Sequence, residues 1–263
     1  MIKAYWRDMG RDDFADPCLQ DAVAVLPIAA IEQHGPHLPV GTDALLAEGY
    51  IERVVAKLPV DLPLIFLPVQ EIGWSEEHLD GAGTLTTSWK NLLPVWLDIC
   101  LSVKRAGVRR IIIINSHGGN VPLMDILMQD LRVHHSMLAS ATNWLRFGYP
   151  EGVFAEDEIA FGIHGGDVET SLMLALQPDK VLMDKAEDFA SLQEEMTRSH
   201  EHLRYYGRKA MGWMATDLNS EGVVGHSAAA SVSKGEVLLD HMIRGFLAYA
   251  REVQQMPFPV ERP

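Results

Sequence analysis

The sequence predicts an α/β fold in which a mainly parallel sheet is covered by helices on both faces. Three observations carry this. Apolar runs alternate with amphipathic segments along the chain, the order that strand–helix–strand units produce. Arg110-Ile111-Ile112-Ile113-Ile114-Asn115 sets four isoleucines in a row. Such a run cannot alternate between core and water, so it reads as a central strand buried on both faces. The polar, glycine-bearing segments Glu32–Asp43 and Ser116–Asn120 directly follow apolar runs, at the carboxyl ends of strands, where open parallel sheets build their sites.

The elements follow in order. Ala22–Ile31 reads as the first strand. Asp43–Leu58 reads as an amphipathic helix capped by Thr42 or Asp43. Leu64–Val69 is the second strand, its end loosened by Pro68. Glu71–Thr87 is a polar, glycine-rich loop too long to be a mere connector. Ser88–Ala106 is a helix that Pro94 either kinks or delays. After the isoleucine strand come a tight Ser116-His117-Gly118-Gly119-Asn120 turn and a helix from Val121 to His134 with Asn120 as cap. Met137–Trp144 is a further strand, and Phe147–Ile163 is irregular. Asp167–Leu176 is a short helix stopped by Pro178. Phe189–Tyr205 reads as a solvated helix, and Asn219–Ser231 as a small-residue loop. Ser233-Lys234-Gly235-Glu236 reads as a capping box for a last helix reaching Val253. No repeat, low-complexity tract or linker divides the chain, so one domain over residues 1–263 is expected.

Composition narrows the function. Thirty-six acidic against 22 basic residues give a formal charge of −14, which argues against a nucleic-acid partner, since phosphate binding needs clustered Lys and Arg. A small anionic substrate remains compatible, because a bound metal reverses the local sign. No apolar run approaches a membrane span, and Met1–Asp8 carries no signal core. Cys18 and Cys100 sit in no metal-spacing motif and are expected as reduced thiols. A cytoplasmic protein is expected.

Glu32-Gln33-His34-Gly35-Pro36-His37-Leu38-Pro39-Val40-Gly41-Thr42-Asp43 is the stretch that carries chemistry. Strand side chains alternate, so Glu32 and His34 point the same way. The prolines and glycines forbid a helix and shape a loop that delivers Asp43 to the next helix. Carboxylates plus an imidazole gathered at one strand end suit a divalent metal. Ser116-His117-Gly118-Gly119-Asn120 lacks the Lys-Ser/Thr of a phosphate loop and the spacing of a dinucleotide fingerprint. Its glycines let the backbone turn so that His117 projects from the strand end. In His164-Gly165-Gly166-Asp167-Val168-Glu169-Thr170-Ser171, Asp167 suits a helix N-cap, which leaves Glu169 free to reach a metal.

Together with the Gly222-Val223-Val224-Gly225 turn, these three segments resemble the creatininase (creatinine amidohydrolase) family, from the first strand to the last helix. The resemblance implies a three-layer α/β/α fold, a site for two divalent ions (zinc, manganese or iron), hydrolysis of amide-type bonds and often a hexamer. It places Glu32 and His117 on one metal and His34 on the other, with Asp43 bridging. Creatininase itself carries a ligand carboxylate two positions after the histidine, where this chain has Gly119. Another acid is needed there, and Glu169 is the choice. Creatinine is accordingly not the expected substrate.

Two cations about 4 Å apart lower the pKa of a shared water from about 16 towards 7, and they also stabilise a tetrahedral oxyanion. The leaving nitrogen needs a proton, which His164 is expected to supply. His37 and His78 are the rival donors, each equally suited to supporting a ligand or touching substrate. Asp167 either orients His164 or caps its helix. Trp74, Ser75, Glu77 and His78 in the long loop are candidate pocket residues, and Asn120 and Asp167 complete the substrate-side candidates. The substrate is expected to be a small cyclic amide, a formamide or a short peptide-like bond. The same residues also suit opening of a cyclic polyol ketone, an isomerase or lyase reaction through an enolate, or a metal-binding sensor without turnover. A serine or cysteine nucleophile is disfavoured by the absence of a nucleophile elbow.

Overall fold

The structure, a computed structural model, describes residues 2–258. Its central sheet has the order β2-β1-β3-β4, formed by β1 (Val23–Ile28), β2 (Leu64–Phe66), β3 (Arg110–Asn115) and β4 (Leu138–Asn143). Every pairing is parallel, with Val25 opposite Ile112 and Ile112 opposite Ser140. The isoleucine run is fully buried in the middle of the sheet, as its lack of alternation requires.

Alternate residues of the strands feed two cores. Val23, Val25, Leu64, Phe66, Ile112 and Ile114 face α1 (Thr42–Ala56), α5 (Asp167–Leu176) and α8 (Val232–Gln255). Ala24, Leu26, Ile65, Ile111 and Ile113 face α2 (Trp89–Arg105) and α3 (Val121–His135). The result is the three-layer α/β/α arrangement. The chain leaves β1 through α1 on one face to reach β2, then returns through α2 on the other face to β3. Helices therefore change sides between β1 and β3. Right-handed crossovers demand this when the winding direction reverses, and a crevice opens there at the carboxyl ends. The loops after β1 and β3 both enter that crevice.

The remaining elements are short: α4 (Glu156–Phe161), a two-strand ladder of β5 (Asp188–Phe189) and β6 (Gly225–His226), α6 (Leu192–Ser199) and α7 (Ala215–Leu218). Among the described residues no helix is long and apolar enough to cross a membrane. Cys18 is exposed, Cys100 is buried, and both are free.

Several sequence expectations are corrected. β1 ends at Ile28, so Glu32 and His34 ride on the following loop rather than on the strand; beyond Ala29, whose N still donates to Gln70 O, the chain leaves the parallel ladder and Ile31 bridges antiparallel to Leu85. β2 likewise stops before Pro68. Neither Thr42 nor Asp43 caps α1; Gly41 is the N-cap, with no side-chain bond, and Thr42 Oγ1 donates to Pro39 O at 2.7 Å. Asn120 is the N-cap residue of α3, as expected, but makes no side-chain cap bond; α5 has Gly166 as its N-cap, not Asp167. Pro94 lies inside α2, which Ser88 caps by accepting from Lys90 N. Residues 147–163 contain α4, and Phe189–Tyr205 is helical only over Leu192–Ser199. The last helix is capped by Ser231, not Ser233; Glu236 instead pairs with Arg53 at 2.8 Å.

Candidate metal centre

The loop after β1 is pinned before it carries chemistry. Glu32 N donates to Val40 O at 2.9 Å, and Leu85 N donates to Ile31 O at 2.8 Å. These bonds turn Glu32 and His34 into the crevice, where both are 1 % exposed. Asp43, in the first turn of α1, arrives from the same loop and is equally buried. His117 follows β3. Its backbone N donates to Asn115 Oδ1 at 3.1 Å, and Asn115 Nδ2 donates back to its carbonyl. Glu169 sits in the first turn of α5, its Oε2 accepting from Gly165 N at 2.6 Å.

His117, His34 and His164 each have one ring nitrogen committed to a carbonyl. His117 Nε2 donates to Trp74 O at 3.0 Å, His34 Nδ1 to Glu32 O at 3.0 Å and His164 Nε2 to Gln33 O at 2.8 Å. The opposite nitrogens then carry lone pairs that face carboxylates. His117 Nδ1 is 3.1 Å from Glu32 Oε2 and 3.5 Å from Asp43 Oδ2. His34 Nε2 is 3.7 Å from Asp43 Oδ1 and 3.8 Å from Glu169 Oε2. His164 Nδ1 is 3.6 Å from Glu32 Oε1.

Lone pairs facing carboxylates repel unless a cation or a proton lies between. Glu32 Oε2, His34 Nε2 and Asp43 Oδ2 are buried with no hydrogen-bond partner among the described residues, a costly arrangement for bare polar atoms. Three groups have donor atoms close enough to share an ion: Glu32–Asp43–His117, His34–Asp43–Glu169 and Glu32–His34–His164. The donor set, oxygens with imidazole nitrogens, suits zinc or manganese. The residues therefore fit divalent cations, and Asp43 belongs to two of the three groups.

Charge balance in the protein alone agrees. Burial opposes protonation of His117, yet Glu32, Asp43 and Glu77 outweigh it and lift its pKa to about 10. His34 rises to about 9 against the same burial, through Asp43, Glu169 and Glu32. Burial pushes Glu169 up to about 7, with Asp43 and Glu32 adding to it and His34 opposing. Burial and then the Glu32 charge raise Asp43. Glu32 itself is held well below the usual range, because His117 overrides its burial. Without another cation, protons take that place. His164 differs: burial, then His34 and His78, hold it well below 6.5, so it is neutral.

The substrate-side candidates separate. His37 is fully buried, bonded to Gly165 O (3.0 Å) and Thr170 Oγ1 (2.9 Å) and stacked on Phe189; it braces the His164 loop. Asn120 is buried, donating to Ala29 O and accepting from Trp74 N. The buried Asp167 pairs with the partly exposed Lys234 Nζ (2.5 Å) and accepts from Ser171 Oγ; among the described residues it makes no hydrogen bond to His164. Ser75 Oγ lies 3.3 Å from His117 Nε2 and is inaccessible. His78 is buried against Glu32 and Gln33. Glu77 keeps some exposure, 18 % of its side chain, with Oε1 3.4 Å from His117 Nε2, and Trp74 is half-buried.

Gly119 explains part of this layout. A Cβ there would collide with Glu77 Oε1 and lie 2.6 Å from Trp74 O. The long loop thus fills the space a side chain at 119 would need. Sequence reasoning gave no role to Gln33 or Glu158. Glu158 is 1 % exposed and accepts from Val168 N at 3.2 Å and His226 N at 2.8 Å, tying α5 to β6. A lone glutamate in an acidic helix carries no sequence signal for that. Gln33 did carry one, its place between Glu32 and His34.

Comparison with known proteins gives consistent results. The family model described as creatinine amidohydrolase matches residues 7–250. The chain is 27% identical over 252 residues to the creatinine amidohydrolase of Pseudomonas putida, covering 88% of this chain and 90% of that protein. It is 28% identical over 227 residues to the mycofactocin precursor peptide peptidase of Mycolicibacterium smegmatis, covering 85% and 82%. Among solved structures, the manganese form of creatininase superposes with a TM-score of 0.75 at 24% identity, over 97% of this chain and all of that one.

Proposed function

The chain belongs to the creatininase family, and on that premise we propose that it is a metal-dependent amidohydrolase cleaving a C–N amide-type bond in a small cyclic amide, a formamide or a short peptide-like substrate. One observation carries the reading: Asp43 presents Oδ1 to His34 and Oδ2 to His117, so one carboxylate would serve two of the candidate ion groups. Glu32, Asp43 and His117 would hold the first ion. His34, Asp43 and Glu169 would hold the second, with Glu169 supplying the acid that Gly119 does not. Divalent cations bound there supply a water of lowered pKa and charge to offset an oxyanion.

The chain's own groups handle the protons. His164 is neutral, with its Nε2 proton committed to Gln33 O and its Nδ1 lone pair turned inward. It therefore begins as an acceptor. It takes the proton released as the nucleophile forms and returns it to the leaving nitrogen, acting as a relay rather than a standing donor. The Gln33 carbonyl stabilises the charged ring in between. The loop 71–87 walls the site beside His117, where Glu77 is a partly exposed acidic group. Gly119 and the loop that occupies its side-chain space argue against creatinine as substrate. Self-association, hexameric by the resemblance, belongs to the same reading.

The test is metal content and turnover measured together. Metal-free protein, and protein reloaded with zinc or manganese, are assayed against a formamide, a cyclic amide, a short peptide amide and a cyclic polyol ketone. The expected result is two ions per chain and hydrolysis of a C–N substrate only after reloading. Full activity in the metal-free preparation overturns the proposal, and cleavage of the polyol ketone alone replaces the amidohydrolase with a C–C hydrolase at the same centre.

A further inference from the structure

Gln33 lies in a slot between two glycines. A Cβ at Gly81 would collide with its Cγ, and one at Gly222 would come within 2.6 Å of its Nε2. Backbone groups of fixed polarity set its amide orientation: Oε1 accepts from Gly35 N at 3.0 Å, and Nε2 donates to Gly222 O at 2.5 Å. The NH2 end therefore also faces His78 Nδ1, at 3.0 Å. A donor at that distance makes His78 Nδ1 the acceptor and places the ring proton on Nε2. That nitrogen is 3.4 Å from Glu32 Oε1. The Gln33 backbone carbonyl meanwhile accepts from His164 Nε2. The two rings pack with centroids 4.3 Å apart, tilted by 37°.

We propose that Gln33 is a positioning residue whose side-chain amide sets the tautomer of His78, as its backbone carbonyl sets that of His164, and thereby divides the work of Glu32 between its two oxygens. The His78 N–H engages Oε1. Oε2, which has no hydrogen-bond partner among the described residues, stays free for a cation shared with Asp43 and His117. His78 is then a support for the Glu32 carboxylate, not a group that meets substrate. One glutamine so couples the long loop, the Gly222 turn and the His164 segment to the first ion position. The inference rests on the metal-centre reading for its effect on cations, and on the glutamine geometry alone for the tautomers.

The test uses the full chain labelled with nitrogen-15 at histidine, with two-bond proton–nitrogen spectra recorded without metal and with zinc. Chelator competition gives the affinity of each zinc position. His78 is expected as the Nε2–H tautomer in wild type, and as a tautomer mixture in Gln33→Met. His78→Leu is expected to weaken one of the two zinc positions about tenfold or more, the range for removing a ligand's hydrogen-bond partner. His78→Gln, whose amide N–H reaches the place of Nε2–H, is expected to restore most of that loss; a merely space-filling role would not distinguish Gln from Leu. An Nδ1–H tautomer at His78 in wild type overturns the proposal, as does unchanged affinity at both positions in His78→Leu. A wild-type chain that binds no zinc defeats the metal-centre reading separately, since the tautomer is still read in the metal-free spectrum.

Discussion

Asp43 splits its carboxylate between two histidines from different strand ends: Oδ1 lies 3.7 Å from His34 Nε2, and Oδ2 lies 3.5 Å from His117 Nδ1. Removing this one side chain should therefore empty both ion positions, while Glu169→Ala should empty only the position at His34. Elemental analysis after dialysis against zinc reads the difference. Loss of a single ion in Asp43→Ala would show that the two positions do not share it.

Metal uptake should be strongly pH-dependent. In the metal-free protein His34 titrates near 9 and His117 near 10, so both are protonated at neutral pH and must lose a proton to bind a cation. Apparent affinity should rise with pH, about tenfold per unit for each proton displaced, and level off as pH passes these values. Calorimetry in buffers of different ionisation enthalpy counts the protons. The same raised values make the metal-free fold more stable at low pH: the contribution is complete below 6.5, the ordinary histidine value, and is lost as pH rises through 9 to 10. Affinity that stays flat between pH 6 and 9 contradicts the assignment.

Gly119→Ala should disturb the loop that walls the site. The added methyl would meet the Trp74 carbonyl at 2.6 Å, and backbone cannot yield as a flexible side chain can. A cost of about 1–3 kcal/mol is expected from overpacking, read as a lower thermal midpoint. Weaker zinc binding at the His117 position should accompany it, because Trp74 O orients that ring. An unchanged midpoint would mean the loop is free to withdraw.

Lys234→Met should destabilise the fold by about 2–3 kcal/mol, since it strands the buried Asp167 carboxylate at the start of α5; the partial exposure of Lys234 keeps the figure below that of a fully buried pair. Urea unfolding measures it. The double variant Lys234→Met with Asp167→Asn should recover most of the loss, because no charge is then left unpaired. Failure to recover would show that the pair acts through packing alone.

Much of the site is legible in the amino-acid order. Glu32, His34, Asp43 and His117 declare themselves because chemistry-bearing side chains beside glycines and prolines at strand ends have few other reasons to cluster. The supporting roles are not legible there. His37, Asn120 and Asp167 have the residue types of site groups, yet their side chains are engaged by Thr170, Ala29 and Lys234, partners 133, 91 and 67 positions away in the chain and set by packing. His164 shows the same limit: a histidine beside a metal motif suggests a proton donor, but only its bond to Gln33 O and its burial among other histidines make it start neutral.

The sequence by itself determined the layer order and the crevice. Four adjacent isoleucines require a doubly covered central strand, and right-handed crossovers around it leave little choice about where β1 and β3 open. It also supplied the donor atoms. Only the tertiary structure decided which oxygen faces which nitrogen. That choice depends on carbonyls and loops from distant segments, such as Trp74 O on His117 and the turn at Gly222 on Gln33, and hydrogen-bond polarity at a buried atom is settled by neighbours that local sequence does not encode.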